Sequence, residues 1–193
     1  MSKRIQKVSY TLDSIGVKHL IPIEIKAILR AADELINCGG RSMLAKILKG
    51  SKDKKLLEHG LENCPSFGFY NTFSLPEITK RIDWMIVNDY LVIEYSGRLP
   101  LLVFSHKGWE IERETLLEEL FTKLRQLSAG SDFGFVQELK DMNRVVILNL
   151  IEKIKETNDP VFIPILQAWQ LTDYKKVVAE LQIAVDHLMR FKE

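Results

Sequence analysis

Two glycine breaks constrain this chain more than any other feature. Gly39-Gly40 ends one amphipathic run and Gly50-Ser51 ends the next, so residues 41–49 are confined to a short helix. Its apolar positions, Met43, Leu44, Ile47 and Leu48, fall at helical spacing and form a buried face, which leaves Arg41, Lys46 and Lys49 outside. Ser51 is the expected N-cap of a following helix over residues 52–61, whose free backbone amides suit a phosphate. The segment is also charged. Arg41, Lys46, Lys49, Lys52, Lys54 and Lys55 face a single acid, Asp53, a local charge of +5 in a chain whose net charge is +1. Such a concentrated footprint in a nearly neutral protein fits a polyanionic ligand.

The flanking patterns extend this unit in both directions. Residues 1–22 read as a short strand or extended arm, and Ile25, Ile28, Leu29, Ala32, Leu35 and Ile36 mark an amphipathic helix over residues 23–36. Residues 62–73 form a loop whose rings, Phe67, Phe69, Tyr70 and Phe73, are expected to pin it to the core. Ser74, with Glu77 three residues on, has capping-box spacing and opens a helix buried along Leu75, Ile78, Ile82, Met85 and Ile86. Its other side carries Lys80, Arg81 and Trp84 among Glu77 and Asp83, a mixed charge with Trp84 expected to pack. Residues 90–95 and 100–105 are β-rich and flank Ser96-Gly97-Arg98-Leu99, the pattern of a hairpin. A long helix is expected over residues 109–127, with Glu110, Glu112, Glu114, Glu118 and Glu119 as an acidic outer face that repels a polyanion.

Several short motifs carry a resemblance. Gly40-Arg41 and Leu44-Ala45 lead into Leu48-Lys49-Gly50-Ser51 and Lys54-Lys55-Leu56; Phe67-Gly68 follows, then Ile82-Asp83 and Asp89-Tyr90-Leu91. In order and spacing, over about residues 24–112, these resemble the RQC domain, the winged helix near the C-terminus of RecQ helicases. The nearer likeness is to stand-alone bacterial proteins with such a winged helix and no helicase. The resemblance implies an α+β fold: an arm over residues 1–22, a winged helix over 23–127 and an α-helical extension over 128–193. It implies DNA binding without catalysis, directed at backbone or structure such as duplex ends, forks and junctions, in DNA repair, replication or recombination as a helicase accessory. Carried over, Arg41, Ser51, Lys52, Lys54 and Lys55 meet phosphate, with Lys49, Lys80 and Arg81 as further contacts. Tyr95 and Arg98 stand at the wing tip, against a terminal base pair. RecQ proteins precede this domain with nucleotide-binding motifs and a four-cysteine zinc module. This sequence has neither, so no metal, no cofactor and no strand-separating motor are expected.

Enzyme signatures are missing as well. His19, His59, His106 and His187 are scattered outside any HxH or HExxH arrangement, and His59 with Cys64 offers two of the four ligands a structural zinc needs. Gly50-Ser51-Lys52 lacks the GxxxxGK[ST] order of a phosphate-binding loop, and no GxSxG elbow occurs. Cys38 and Cys64 cannot build a disulfide framework, the start Met1-Ser2-Lys3-Arg4-Ile5-Gln6-Lys7 has no apolar run behind it, and Leu99 to Phe104 is too short to span a bilayer. A reduced cytoplasm and no membrane are the expectation.

Residues 128–132 break the composition and read as a linker. Beyond them, helices are expected over residues 136–156, 160–169 and 173–190, the last capped by Thr172 or Asp173 and the final two resembling a HEAT-type pair. Val161, Phe162, Ile163, Ile165, Leu166 and Trp169 exceed what one helical face hides, so a protein partner such as a helicase is expected on these helices. Two other functions compete. A transcription regulator would use residues 74–89 in a major groove as a symmetric dimer, and an interaction adaptor would show little salt-dependent DNA affinity.

Overall fold

The computed structural model describes residues 7–130 and 132–192. Two compact units divide the chain, Met1–Glu112 and Arg113–Glu193. The first is a winged helix: α1 (Pro22–Asp33), α2 (Arg41–Lys49), α3 (Lys54–Glu58) and α4 (Leu75–Val87), then a hairpin of β1 (Leu91–Ser96) and β2 (Leu99–Phe104). The strands are antiparallel, with Leu91 opposite Phe104 and Ser96 opposite Leu99, and Gly97 takes the left-handed conformation at the tip. The division between the units falls inside α5 (His106–Ser128). The second unit continues through α6 (Arg144–Glu156), α7 (Ile163–Gln170) and α8 (Lys175–Leu188).

The first core is built from Ile28, Leu29, Leu44, Ile47, Leu48, Leu56, Ile78, Ile82, Met85, Leu91 and Leu102, all essentially sealed from solvent. Each such side chain contributes about 1.5–3 kcal/mol, so the apolar spacing of α1, α2 and α4 sets which faces meet. Gly50 and Gly68 explain two of the motifs. Gly50 ends α2 in the left-handed conformation, and a Cβ there would lie 3.0 Å from Gly68 Cα. That close approach lets Gly68 N and Tyr70 N donate to Ile47 O (2.9 Å) and Leu48 O (2.8 Å), tying the aromatic loop to the end of α2. Tyr70 is buried and its hydroxyl donates to Glu24 Oε1 at 2.9 Å; burial, with Glu24 beside it, pushes that hydroxyl far above the usual phenol range. Ser74 caps α4 with Glu77 as expected.

Several boundaries differ for local reasons. The helix expected over residues 52–61 is the short α3, because Asp53 rather than Ser51 is its N-cap, accepting from Lys55 N at 3.1 Å. Ser51 Oγ instead accepts from Asp53 N at 3.2 Å. α5 begins at His106 because Ser105 caps it, its hydroxyl accepting from Gly108 N at 3.0 Å. The run 136–156 splits into a 3-10 turn (Gly134–Leu139) and α6, restarted by Asn143 accepting from Val145 N at 2.9 Å. α8 begins after Tyr174 with no side-chain cap, since Asp173 turns inward. The described part of the arm, residues 7–21, carries no strand; residues 1–6 of it, Ser131 of the expected linker and Glu193 lie outside the described residues.

Two expectations about packing are overturned. Glu112 is buried, with Arg30 Nε 3.9 Å away, so the acidic face of α5 is made without it. Phe162, Ile163, Ile165, Leu166 and Trp169 are buried in the core of the second unit with Val146, Ile147, Leu150, Val177 and Leu181. They fill that unit's interior and leave only Val161 of the expected excess exposed.

Candidate nucleic-acid interface

Folding divides the basic segment into spent and available charge. Arg41, the first residue of α2, points into the unit: its guanidinium pairs with Asp83 of α4, donates to Thr11 O at 3.1 Å and lies 5.3 Å from the Tyr10 ring. Asp83 is only 2% exposed and its second oxygen accepts from Asp13 N at 2.8 Å. The sequence places both side chains outward; the arm, laid across them, makes them internal. Lys46 Nζ donates to Asp53 Oδ2 at 2.7 Å, and that bond holds the Asp53 carboxyl below the usual aspartate range. Lys49 Nζ donates to Asn71 O at 2.6 Å, fastening α2 to the aromatic loop.

What remains is Lys52 on the turn with Lys54 and Lys55 at the start of α3. All three are exposed. Lys54 has Glu58 at 3.5 Å, a solvated pair worth little, and Lys52 and Lys55 have no acidic partner among the described residues. Asp53 sits among them as cap of α3, so its carboxylate, and not a bound anion, serves the amides at that helix end. The Ser51 hydroxyl accepts from Asp53 N and keeps its own proton free to donate. Lys55 also borders a cleft of ≈ 470 Å³ whose wall includes Val8, Tyr10, Arg41, Lys46 and Pro100.

The basic side chains on the outer face of α4 already have partners. Lys80 Nζ lies 3.4 Å from Asp13 Oδ2 and 3.3 Å from Ile15 O, both on the arm. Arg81 stacks over Phe73 (4.0 Å) and Tyr70 (5.4 Å), donates to Glu77 O and lies 3.7 Å from Glu24. Trp84 stacks on Tyr90, with ring centres 5.9 Å apart. The arm continues to the hairpin, where Val8 N donates to Arg98 O (3.0 Å) and the Tyr95 hydroxyl donates to Val8 O (2.7 Å). Lys7, Tyr95, Tyr10 and Arg41 thereby form a ladder of alternating contact, with Lys7 4.5 Å from the Tyr95 ring and the two tyrosine rings 6.1 Å apart.

Tyr95 is therefore held by the arm, whereas Arg98 projects its side chain into solvent. Beside it Leu99, 60% exposed, puts an apolar side chain at the tip that sequence reasoning missed. The signal was present: Leu99 directly follows the turn and pairs with Ser96 at the end of the ladder, where no neighbour covers it. Among the described residues no three metal-ligating side chains converge, Cys38 and Cys64 are in no disulfide, and no helix is long and apolar enough to cross a membrane.

Comparison with known proteins adds the lineage. The model of the RQC domain family matches residues 6–124. The ATP-dependent DNA helicase RecQ of Bacillus subtilis (strain 168) is 31% identical over 128 residues, an alignment covering 66% of this chain and 21% of the helicase. This chain thus spans about a fifth of the length of that relative. No solved structure matches.

Proposed function

This chain belongs to the RQC domain family, and we propose that it binds DNA without catalysing a reaction on it, through backbone phosphates at duplex ends, forks or junctions. The observation that carries this reading is the trio Lys52, Lys54 and Lys55, projected from the Gly50-Ser51 turn and α3 while Arg41, Lys46 and Lys49 are bonded within the fold. Phosphates would be met by those three ammonium groups and the Ser51 hydroxyl. The exposed tip of the hairpin, Gly97 to Leu99, would rest on a terminal pair, Leu99 against the base and Arg98 against the strand.

The covered face of α4 supports backbone and shape reading over sequence reading in a major groove, because Lys80 and Arg81 already have partners and the arm lies on Asp83. A transcription regulator working through α4 would first have to shed that arm. The relative, a DNA helicase by name, supports a role beside a helicase, in the DNA repair, replication or recombination that the resemblance implies, and a reduced cytoplasm suits two cysteines that form no disulfide.

The test is a panel of blunt duplex, single strand, fork and four-way junction, titrated at two salt concentrations. Affinity should fall steeply with salt, by close to one unit of log affinity per log salt for each phosphate met, and should favour the fork and junction over the duplex. Binding that ignores salt, or a palindromic footprint on one duplex sequence, would contradict the proposal.

A further inference from the structure

A second cluster of cations lies in the helical unit. Lys140 follows the turn Gly134–Leu139, Arg144 opens α6, and Tyr174, Lys175 and Lys176 lead into α8; the three places adjoin. Tyr174 is 52% exposed, with Lys140 Nζ 5.1 Å and the Arg144 guanidinium 5.7 Å from the centre of its ring. A buried carboxylate builds this arrangement. Asp173, its side chain 1% exposed, accepts from Trp169 Nε1 at 2.8 Å and from Tyr174 N at 2.6 Å, and faces Arg144 at 3.6 Å. The Tyr174 backbone and the Arg144 guanidinium are thereby held by a group that is itself out of reach.

Lys175 and Lys176 occupy the first turn of α8, where the helix dipole favours acids, so their charge detracts from helix stability there. Lys140, Lys175 and Lys176 are exposed and have no acidic partner among the described residues. Stability accounts for Arg144, paired with Asp173, but gives no reason for Lys140 over the ring or for Lys175 and Lys176 directly after it. Recognition does. An acidic peptide would use the cations and leave the ring idle, whereas a single DNA strand offers phosphates at regular spacing and a π-face on every base.

We propose that Lys140, Arg144, Tyr174, Lys175 and Lys176 form a binding site for single-stranded DNA, with one base stacked on Tyr174 and the flanking phosphates met by the cations. This site lies in the second unit and is separate from the proposed duplex contact at Lys52, Lys54 and Lys55 in the first, so each is tested by its own variants.

The test uses the full chain and an oligothymidine about ten nucleotides long, followed by fluorescence anisotropy. Tyr174→Ala should weaken that binding about ten-fold while Tyr174→Phe keeps it. Lys175→Glu with Lys176→Glu should weaken it further and lower the salt slope by roughly 0.7 for each phosphate lost. None of these should change blunt-duplex binding, and the Lys175 and Lys176 reversal should raise the unfolding midpoint and not lower it, since acids suit the first turn of α8. Reversal of Lys52, Lys54 and Lys55 should do the opposite, losing the duplex and keeping the oligothymidine. The site is refuted if wild-type protein does not bind the oligothymidine, if the Tyr174 and lysine variants bind it unchanged, or if a glutamate-rich peptide competes as well as DNA. A reversal at Lys52, Lys54 and Lys55 that spares the duplex would refute the first contact alone.

Discussion

The turn that leads into α3 and the outer face of α4 carry similar side chains in opposite circumstances. On the turn, Asp53 bonds backward to Lys46 and inward to the backbone, which leaves Lys52, Lys54 and Lys55 reaching into solvent. On α4, Lys80 is met by Asp13 and Ile15 of the arm, Arg81 is stacked on Phe73 and Tyr70, and Asp83 receives Arg41. The difference teaches that a lysine or arginine count measures potential, and that a covering segment decides how much of it a ligand can use. Here an acid within the turn organises that turn, whereas an arm far away in sequence engages Lys80 and Asp83 on the helix that usually faces DNA in a winged helix.

The sharpest way to break this comparison is at Asp83. Replacing it with alanine leaves the Arg41 guanidinium partly buried without its partner and frees Asp13 N, and should cost about 3–5 kcal/mol of stability in urea unfolding. Affinity for forked DNA, measured where the variant is folded, should stay within about two-fold, since the lost pair does not face the ligand. A variant as stable as wild type would mean that the arm does not lock α4.

A smaller effect is expected at the hairpin. Arg98→Ala with Leu99→Ser removes the exposed apolar tip and should narrow the fork-to-duplex affinity ratio by up to about ten-fold, the order that burying one leucine supplies. Tyr95→Phe, which loses the bond to Val8 O but keeps the stack on Tyr10, should leave that ratio alone. The reverse ranking would move the wedge from the tip to the tyrosine.

The smallest effect concerns acid. Lys46 holds the Asp53 carboxyl below its ordinary range, so this pair adds stability above the ordinary aspartate pKa of about 4 and loses it as pH falls through the lowered folded value. Asp53→Asn keeps an N-cap but not the ion pair. The gap in unfolding midpoint between wild type and this variant should therefore be open at neutral pH and close toward pH 3. A gap that ignores pH would detach the turn's order from the ion pair.

Much of this was legible because it is local. The glycine at the end of α2, the Ser74–Glu77 box, the apolar stripes and the turn between β1 and β2 each depend on residues a few positions apart, and they stand where the spacing puts them. Ser51 and Asp53 are both able caps two positions apart; Asp53, which also accepts from Lys46, is the one that caps α3. Arg41 with Asp83, Arg30 with Glu112 and Arg144 with Asp173 are different. Their partners are tens of residues away, and no periodicity announces a carboxylate that will be buried. Of the residues the sequence offers for phosphate, Lys52, Lys54 and Lys55 stand exposed, whereas Arg41, Lys49, Lys80 and Arg81 are placed against the fold's own backbone or acids, which no local spacing announces.

The most direct measurement is a parallel salt titration on one forked DNA. It compares wild type, the triple reversal of Lys52, Lys54 and Lys55 to glutamate, and Lys80→Ala with Arg81→Gln. The triple reversal should lower affinity on the order of 100-fold at low salt and flatten the salt slope by roughly 0.9 for each phosphate lost, with the α4 pair superimposing on wild type. A flattened slope in the α4 pair, with the turn variant unchanged, would contradict the account and return the interface to α4.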